Sequence, residues 1–372
     1  MKFTALVEHI KKALFFAERA LGKSSHLPIL GTFLVHAEKN KVTISATNLE
    51  IGITTSISAK VDTEGKIAVP AHAFTAFANQ LNDVKAIFET DKKSLKANTD
   101  SYHASFQGFD AEDFPLIPKV SDSQRVELES VYFAHALEQV ITAASVSDLR
   151  PELVSACMFI DPDGDIKIAS TDTFRLAEKT IPRSEIKLNI TEPKTCLIPL
   201  RTAQEVMRVA KEKLEPIEIA IDANQVLFRW KETEMVSRLL EGEFPDYQAV
   251  IPKQFQSEAT ISYARFLEAL KVTGIFSSRL NDVKIRIDPT AKAVILRAAD
   301  SSVGENEARV PVEDVKGNDL EVVFNFKFLL DGTNAFDAKD KLYIGFSDAD
   351  KPALIKPYGD ASYFYILMPL RM

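Results

Sequence analysis

The chain repeats itself at a period too long for a solenoid, and this limits its fold more than any other feature. Phe114-Pro115 recurs as Phe244-Pro245, 130 residues further on. Ser45-Ala46-Thr47-Asn48 recurs as Ala169-Ser170-Thr171-Asp172 and, more loosely, as Arg297-Ala298-Ala299-Asp300. Each motif follows an alternating run that reads as a strand: Val42-Thr43-Ile44, Ile166-Lys167-Ile168 and Val294-Ile295-Leu296. A repeat of roughly 125 residues is the size of a domain, not of a solenoid unit.

Helices repeat with the same period. Leu6, Ile10, Leu14, Ala17 and Leu21 fall at helical spacing, with counterparts over 133–144 and 263–276. A second helix per copy is expected over 71–81, 200–214 and 325–336. Each opens after a short apolar run: Ile67-Ala68-Val69-Pro70, Cys196-Leu197-Ile198-Pro199 and Val322-Val323-Phe324. Pro70 and Pro199 stand where a helix tolerates proline, at or just before the first turn. Strand hairpins over 86–109, 217–240 and 342–368 close the copies. Two helices can cover one face of an antiparallel sheet. The predicted fold class is α+β, with three repeated domains at 1–121, 126–252 and 257–372, separated by polar, proline-containing stretches.

Hydrophobic residues make up 46% of the 372, enough for several cores. The net charge of −8, from 45 basic and 53 acidic residues, argues against an ordinary DNA-binding domain, which carries a basic excess. Cys157 and Cys196 sit in apolar surroundings without Cys-x-x-Cys spacing, and read as buried thiols of a reducing compartment. No run of about 18 apolar residues and no signal-peptide pattern occurs, so a soluble cytoplasmic protein without membrane partners is expected. Gly22-Lys23-Ser24 imitates the end of a P-loop, but Ala17 stands where the first glycine belongs and a helix precedes it. Asp161-Pro162-Asp163-Gly164-Asp165 imitates a calcium loop, but Ile166 stands where the glycine belongs, so a tight turn between strands is expected. The six histidines show no ligand spacing, and no nucleophile–base group suggests itself. A protein without metal, cofactor or chemistry of its own is the expectation.

The tail is unusual. Tyr363-Phe364-Tyr365-Ile366-Leu367 reads as a buried strand, and Pro369 then stops the ladder because proline has no N–H. Met368, Leu370 and Met372 surround that stop, with Arg371 the only charge. Two readings are open: a last core strand, or a strand that lays Met368, Pro369 and Leu370 along the wall of an apolar pocket. Methionine suits a surface that receives varied partners.

Met1-Lys2-Phe3, Leu27-Pro28-Ile29-Leu30, Ala169-Ser170-Thr171-Asp172-Thr173-Phe174-Arg175-Leu176-Ala177, Gly242-Glu243-Phe244-Pro245-Asp246-Tyr247 and the ending Met368-Pro369-Leu370-Arg371-Met372 follow one another in this order. In these motifs the chain resembles the bacterial DNA polymerase III beta subunits, the sliding clamps, over essentially its whole length. The resemblance implies a non-enzymatic processivity factor, a homodimer closed head to tail into a ring around duplex DNA. Its implied partners are the polymerase III alpha subunit and other polymerases, the clamp loader and repair proteins, bound through short linear motifs. Helices set side by side take about 10 Å each, so six would leave a hole of about 9 Å and twelve one of about 28 Å, enough for a duplex. A ring is retained by topology, which reconciles DNA with an acidic chain; tight phosphate contacts would hinder sliding.

The resemblance also assigns residues. Partner peptides would meet Leu153, Thr171, Thr173, Phe174, Arg175, Leu176, Pro245, Val250, Ile366, Met368, Pro369, Leu370 and Arg371. Thr173 and Phe174 stand where many members have glycine and histidine, and Ala249 replaces a common arginine; taken alone, Leu153, Leu176 and Val250 also read as ordinary core. The ring interface would involve Ala104 and Phe106 on one edge strand, and Ile275 and Phe276 on the first helix of the third domain. DNA would meet Arg150, which matches the family, and Lys23, beside Ser24 where the family has arginine. Helix faces add Lys12, Arg19, Arg201, Arg208 and Lys211, which read equally as solvated faces. Two rivals stand beside this reading: a monomeric peptide-binding scaffold, separable by subunit mass, and a nucleotide enzyme on Gly22-Lys23-Ser24, separable by ATP binding.

Overall fold

The predicted periodicities become elements with small shifts at their ends. The computed structural model describes residues 1–22, 27–121, 124–147, 149–333, 336–337 and 339–371. Six α-helices occur among them: α1 (Val7–Ala17), α2 (Ala71–Gln80), α3 (Ser130–Val140), α4 (Leu200–Lys211), α5 (Tyr263–Gly274) and α6 (Phe326–Thr333). In α1 the apolar stripe Val7, Ile10, Ala13, Leu14 and Ala17 is buried. Pro70 is the N-cap of α2, with φ −57°. The run to Leu21 is not one helix: α1 gives way to a 3-10 turn over Glu18–Ala20.

The chain forms two compact units, 1–131 with 187–191 and 208–239, and 132–186 with 192–207 and 240–372. The middle third is thus shared, α3 and α4 each contributing to both units.

The first unit holds a five-stranded and a nine-stranded sheet. In the larger one Thr233–Arg238 pairs antiparallel with Ile51–Ser58, Gly52 facing Val236. This seam joins a strand of the last third of one repeat to a strand of another. Ile117 and Val120 lie over it against Ala220, Leu227 and Val236. Gly52 is required there, since a Cβ would come 2.8 Å from Ile117.

The second unit holds a twelve-stranded sheet built by the same device. Arg175–Ile181 pairs antiparallel with Tyr363–Leu367, Leu176 facing Ile366. Ala169, Leu176, Tyr247, Leu354 and Ile366 form one buried cluster, with Phe244, Ile251 and Phe255 packed against it. The repeated Phe-Pro pairs that betrayed the repeat therefore each open a strap over a seam.

The tail is a core strand whose end then leaves its ladder. Tyr363, Tyr365 and Leu367 are fully buried. Past them, the Met368 amide donates to the Phe174 carbonyl at 2.8 Å, and the Leu370 amide to the Val323 carbonyl at 2.8 Å. Pro369 ends one ladder, and Leu370 crosses to another strand. Met368, Pro369 and Leu370 stay half-buried and Arg371 is exposed, while Met372 lies outside the described residues.

The calcium-like segment is a turn between Ser155–Ile160 and Ile166–Thr171, its Asp161 carboxylate accepting the Asp163 amide at 3.1 Å. The cysteines are buried. Cys157 faces Leu197 and Cys196 faces Met158, so the thiols point to opposite sides of the sheet. Burial raises both thiol pKa values, that of Cys196 to about 12. Among the described residues no helix is long and apolar enough to cross a membrane.

Candidate functional site

At the second seam the hairpin loop 172–175 and the tail meet. Thr171 Oγ1 donates to the Arg175 carbonyl at 2.6 Å and accepts the Thr173 amide at 3.1 Å. Asp172 Oδ1 accepts the Phe174 and Arg175 amides, both at 3.0 Å. This network clamps a turn in which Thr173 takes φ 78°. A β-branched residue rarely adopts that conformation. Phe174, next to it, is 62% exposed and presents an aromatic face beside the tail.

Thr173→Gly is expected to stabilise the protein. The left-handed conformation costs a non-glycine residue about 1–2 kcal/mol, while glycine in the unfolded chain costs about 0.5–1 kcal/mol. The net gain is about 0.5–1 kcal/mol by this difference. Denaturant unfolding checks it, and a lower midpoint would show that the hydrogen-bonded turn carries no strain.

The expected pocket residues separate into three groups. Leu176 and Ile366 are paired, sit in one cluster and are 3% and 2% exposed. They form a floor. Phe174, Thr173 and Val250 are exposed, Val250 to 47%, and with half-buried Pro245, Met368, Pro369 and Leu370 offer accessible apolar surface. Leu153 is 2% exposed in the turn Pro151–Leu153, ahead of a strand two places along the sheet from Arg175–Ile181. Leu153 is thus as buried as Leu176 and Ile366.

Arg175 does not reach outward. Its Nε bonds Asp172 at 2.9 Å and its Nη1 bonds Asp331 of α6 at 2.5 Å. The guanidinium also lies 4.2 Å from the centroid of the Phe328 ring. It works as a tie between the hairpin and α6, with 11% of its side chain exposed.

Sequence reasoning missed the polar pin beside this floor. Tyr247 Oη donates to Glu178 Oε2 at 2.5 Å, and the Gln248 side-chain amide reaches the same oxygen at 3.5 Å. Burial, then the bond to Glu178, raises the tyrosine pKa well above its ordinary range. Tyr247 was visible in the Phe-Pro motif; Glu178, on a strand of mixed polar and apolar residues, carried no signal.

Of the residues expected at the ring interface, Ala104 and Phe106 lie on an edge strand and Ile275 and Phe276 at the end of α5. Phe106 points inward, 9% exposed, against Phe74 and Phe77 of α2 at 5.4 and 5.5 Å between centroids. What its strand offers is backbone: His103–Gln107 ends its sheet, paired only with Ser94–Asn98, and Ala104 is half-buried in it. Ile275 and Phe276 lie just beyond α5, because the helix ends at Gly274. Ile275 is 65% exposed. Phe276 lies 3.9 Å from where a Cβ on Gly304 would be.

Of the basic residues, Arg201, Arg208 and Lys211 share an exposed stripe of α4, opposite buried Ala203, Val206 and Ala210. Lys12 is exposed on α1, whereas Arg19 lies beyond that helix with its guanidinium 4.7 Å from the Phe15 ring centroid. Arg150 pairs with Glu152 at 2.9 Å. Lys23 and Ser24 lie outside the described residues.

Known proteins agree on one family. The models of the N-terminal, central and C-terminal domains of the DNA polymerase III beta subunit match residues 1–118, 127–246 and 248–371. The chain is 26% identical over 380 residues to the beta sliding clamp of Synechococcus elongatus, covering all of both. It is similar in structure to the Thermotoga maritima beta subunit, with TM-score 0.91, 26% identity and 100% and 99% of the two chains covered. The Bacillus subtilis sliding clamp gives TM-score 0.93 at 22% identity with the same coverage. Matching family models from end to end, full-length relatives and a shared fold together place the chain in the family of the bacterial DNA polymerase III beta subunits, the sliding clamps.

Proposed function

We propose that the chain is the non-catalytic processivity clamp of a cytoplasmic replication machinery, with domains at 1–121, 126–252 and 257–372. Two copies close head to tail around duplex DNA, and polymerases, the clamp loader and repair proteins dock by short peptides at the second seam. One observation carries the ring. Each internal seam pairs the last strand of one repeat with the corresponding inner strand of another, and one edge of each kind is left over. These are His103–Gln107 and the 304–311 portion of Gly304–Gly317, which pairs on one side only, with Ala293–Asp300.

The repeats also support one register for this seam. Thr47, Thr171 and Ala299 occupy one position of the recurring motif, and face Gly52, Leu176 and Glu305. Four residues before the closing contacts of Phe109, Leu240 and Leu370 stand Ser105, Val236 and Ile366. Gly52 faces Val236 and Leu176 faces Ile366, so Ser105 faces Glu305 of a second copy. Phe106 then lies opposite Gly304, beside Phe276, on the helix side of the sheet. An interface that repeats head to tail closes when its rotation closes.

Retention on DNA tests the reading. Loaded by its loader on circular DNA, the protein is expected to stay through salt that removes it from linear DNA, because phosphate contacts alone weaken steeply with salt. Equal loss from both forms would contradict encirclement.

A further inference from the structure

Resting on the peptide-docking reading of the second seam, we infer that Glu178 is the positioning residue of that site. It holds the strap that carries Pro245 and Val250. Glu178 is 3% exposed and stands between Ala169 and Phe364 in the sheet, beside an apolar cluster. A carboxylate buried among Leu176, Leu354, Ile366, Phe159 and Phe244 is expensive unless hydrogen-bonded. Its bonds go to the strap: the Tyr247 hydroxyl at 2.5 Å and the Gln248 amide at 3.5 Å, with the Lys167 ammonium at 3.8 Å from the other oxygen.

The first seam supplies the contrast. There the position equivalent to Glu178 is Thr54, whose hydroxyl is 3.0 Å from that of Ser45, its own sheet neighbour. The strap above it meets the seam cluster through Ile117 and Val120. Apolar contact is non-directional and holds a strap down without fixing where along the seam it sits. A charge-assisted hydrogen bond fixes it in direction and length. The strap bound by such a bond is the one whose neighbours, Pro245 and Val250, flank the proposed groove. Glu178 thus sets the width of a groove it never touches.

The test uses the full-length protein and a labelled peptide bearing a glutamine followed by leucine and phenylalanine anchors. Glu178→Gln and Tyr247→Phe are each expected to weaken peptide binding about ten-fold, the effect of one charge-assisted bond. The double variant should be no weaker than the worse single, since both remove one bond. Hydrogen exchange of the 246–250 amides should quicken in the variants while the dimerisation constant stays fixed. A role in stability alone would lower the unfolding midpoint and leave peptide affinity at its native value, which would overturn the inference. Failure of the unsubstituted protein to bind the peptide would instead bring down the docking reading, and this inference with it.

Discussion

Combining Ala104→Cys and Asn306→Cys in one chain is expected to give a covalently closed dimer under mild oxidation. The register inferred from the internal seams places these residues directly opposite each other across the two free edges. Facing residues of antiparallel strands have Cβ atoms about 4.5–5.5 Å apart, close to what a disulfide spans. The native thiols of Cys157 and Cys196 are buried and will not compete. Ala104→Cys with Ala308→Cys is the control, because a shift of two residues takes the pair out of reach. Non-reducing electrophoresis reads the outcome as nearly complete cross-linking of the first pair against a trace of the second. Efficient cross-linking of the control would mean a slipped register, and a chain that stays monomeric before oxidation would remove the ring.

Deleting the last five residues, Met368 to Met372, should abolish peptide binding while leaving a folded protein. Two apolar anchors buried in the groove contribute roughly 3–6 kcal/mol before ordering costs, which suits affinity near micromolar. Removing Met368, Pro369 and Leu370 removes a wall, and that contribution falls with it. The core strand Tyr363–Leu367 remains, with its pairing to Arg175–Ile181. The carbonyls of Phe174 and Val323 lose their donors, at about 0.5–1.5 kcal/mol each. Isothermal titration against both forms should show loss of binding, with a modest fall in unfolding midpoint and the same dimer constant. Equal affinity would reduce the tail to the end of a core strand.

Much of this architecture was legible because the repeat reports it three times. The stripe Val7, Ile10 and Leu14, the proline before α2 and the runs of alternating strands needed only local rules. The seams were not legible. Gly52 and Val236, or Leu176 and Ile366, are far apart in sequence, and strand periodicity says which face a residue takes, not which edge its strand joins. Leu153 and Phe106 show a related limit: an apolar residue on a strand or turn reads the same whether it faces a groove or a core. Arg175 and Glu178 show the limit for charges, since their burial follows from Asp331, Phe328 and Tyr247, distant residues that no local pattern names.

The straps decide where such a ring gives way. An internal seam that parts is held by its own linker, so its strands meet again at the high effective concentration of a tether. In the proposed ring the seam between copies would have no linker above it. The positions that are Leu176, Leu354 and Ile366 in the second seam become Glu305, Lys96 and Ser105 there, with His103 and Glu307 beside them. Charges at an exposed seam are screened within about 8 Å at physiological salt. In the proposed ring, chain connectivity alone would divide the circle into permanent joints and gates, and a loader would need to prise only the joint the polypeptide leaves untied.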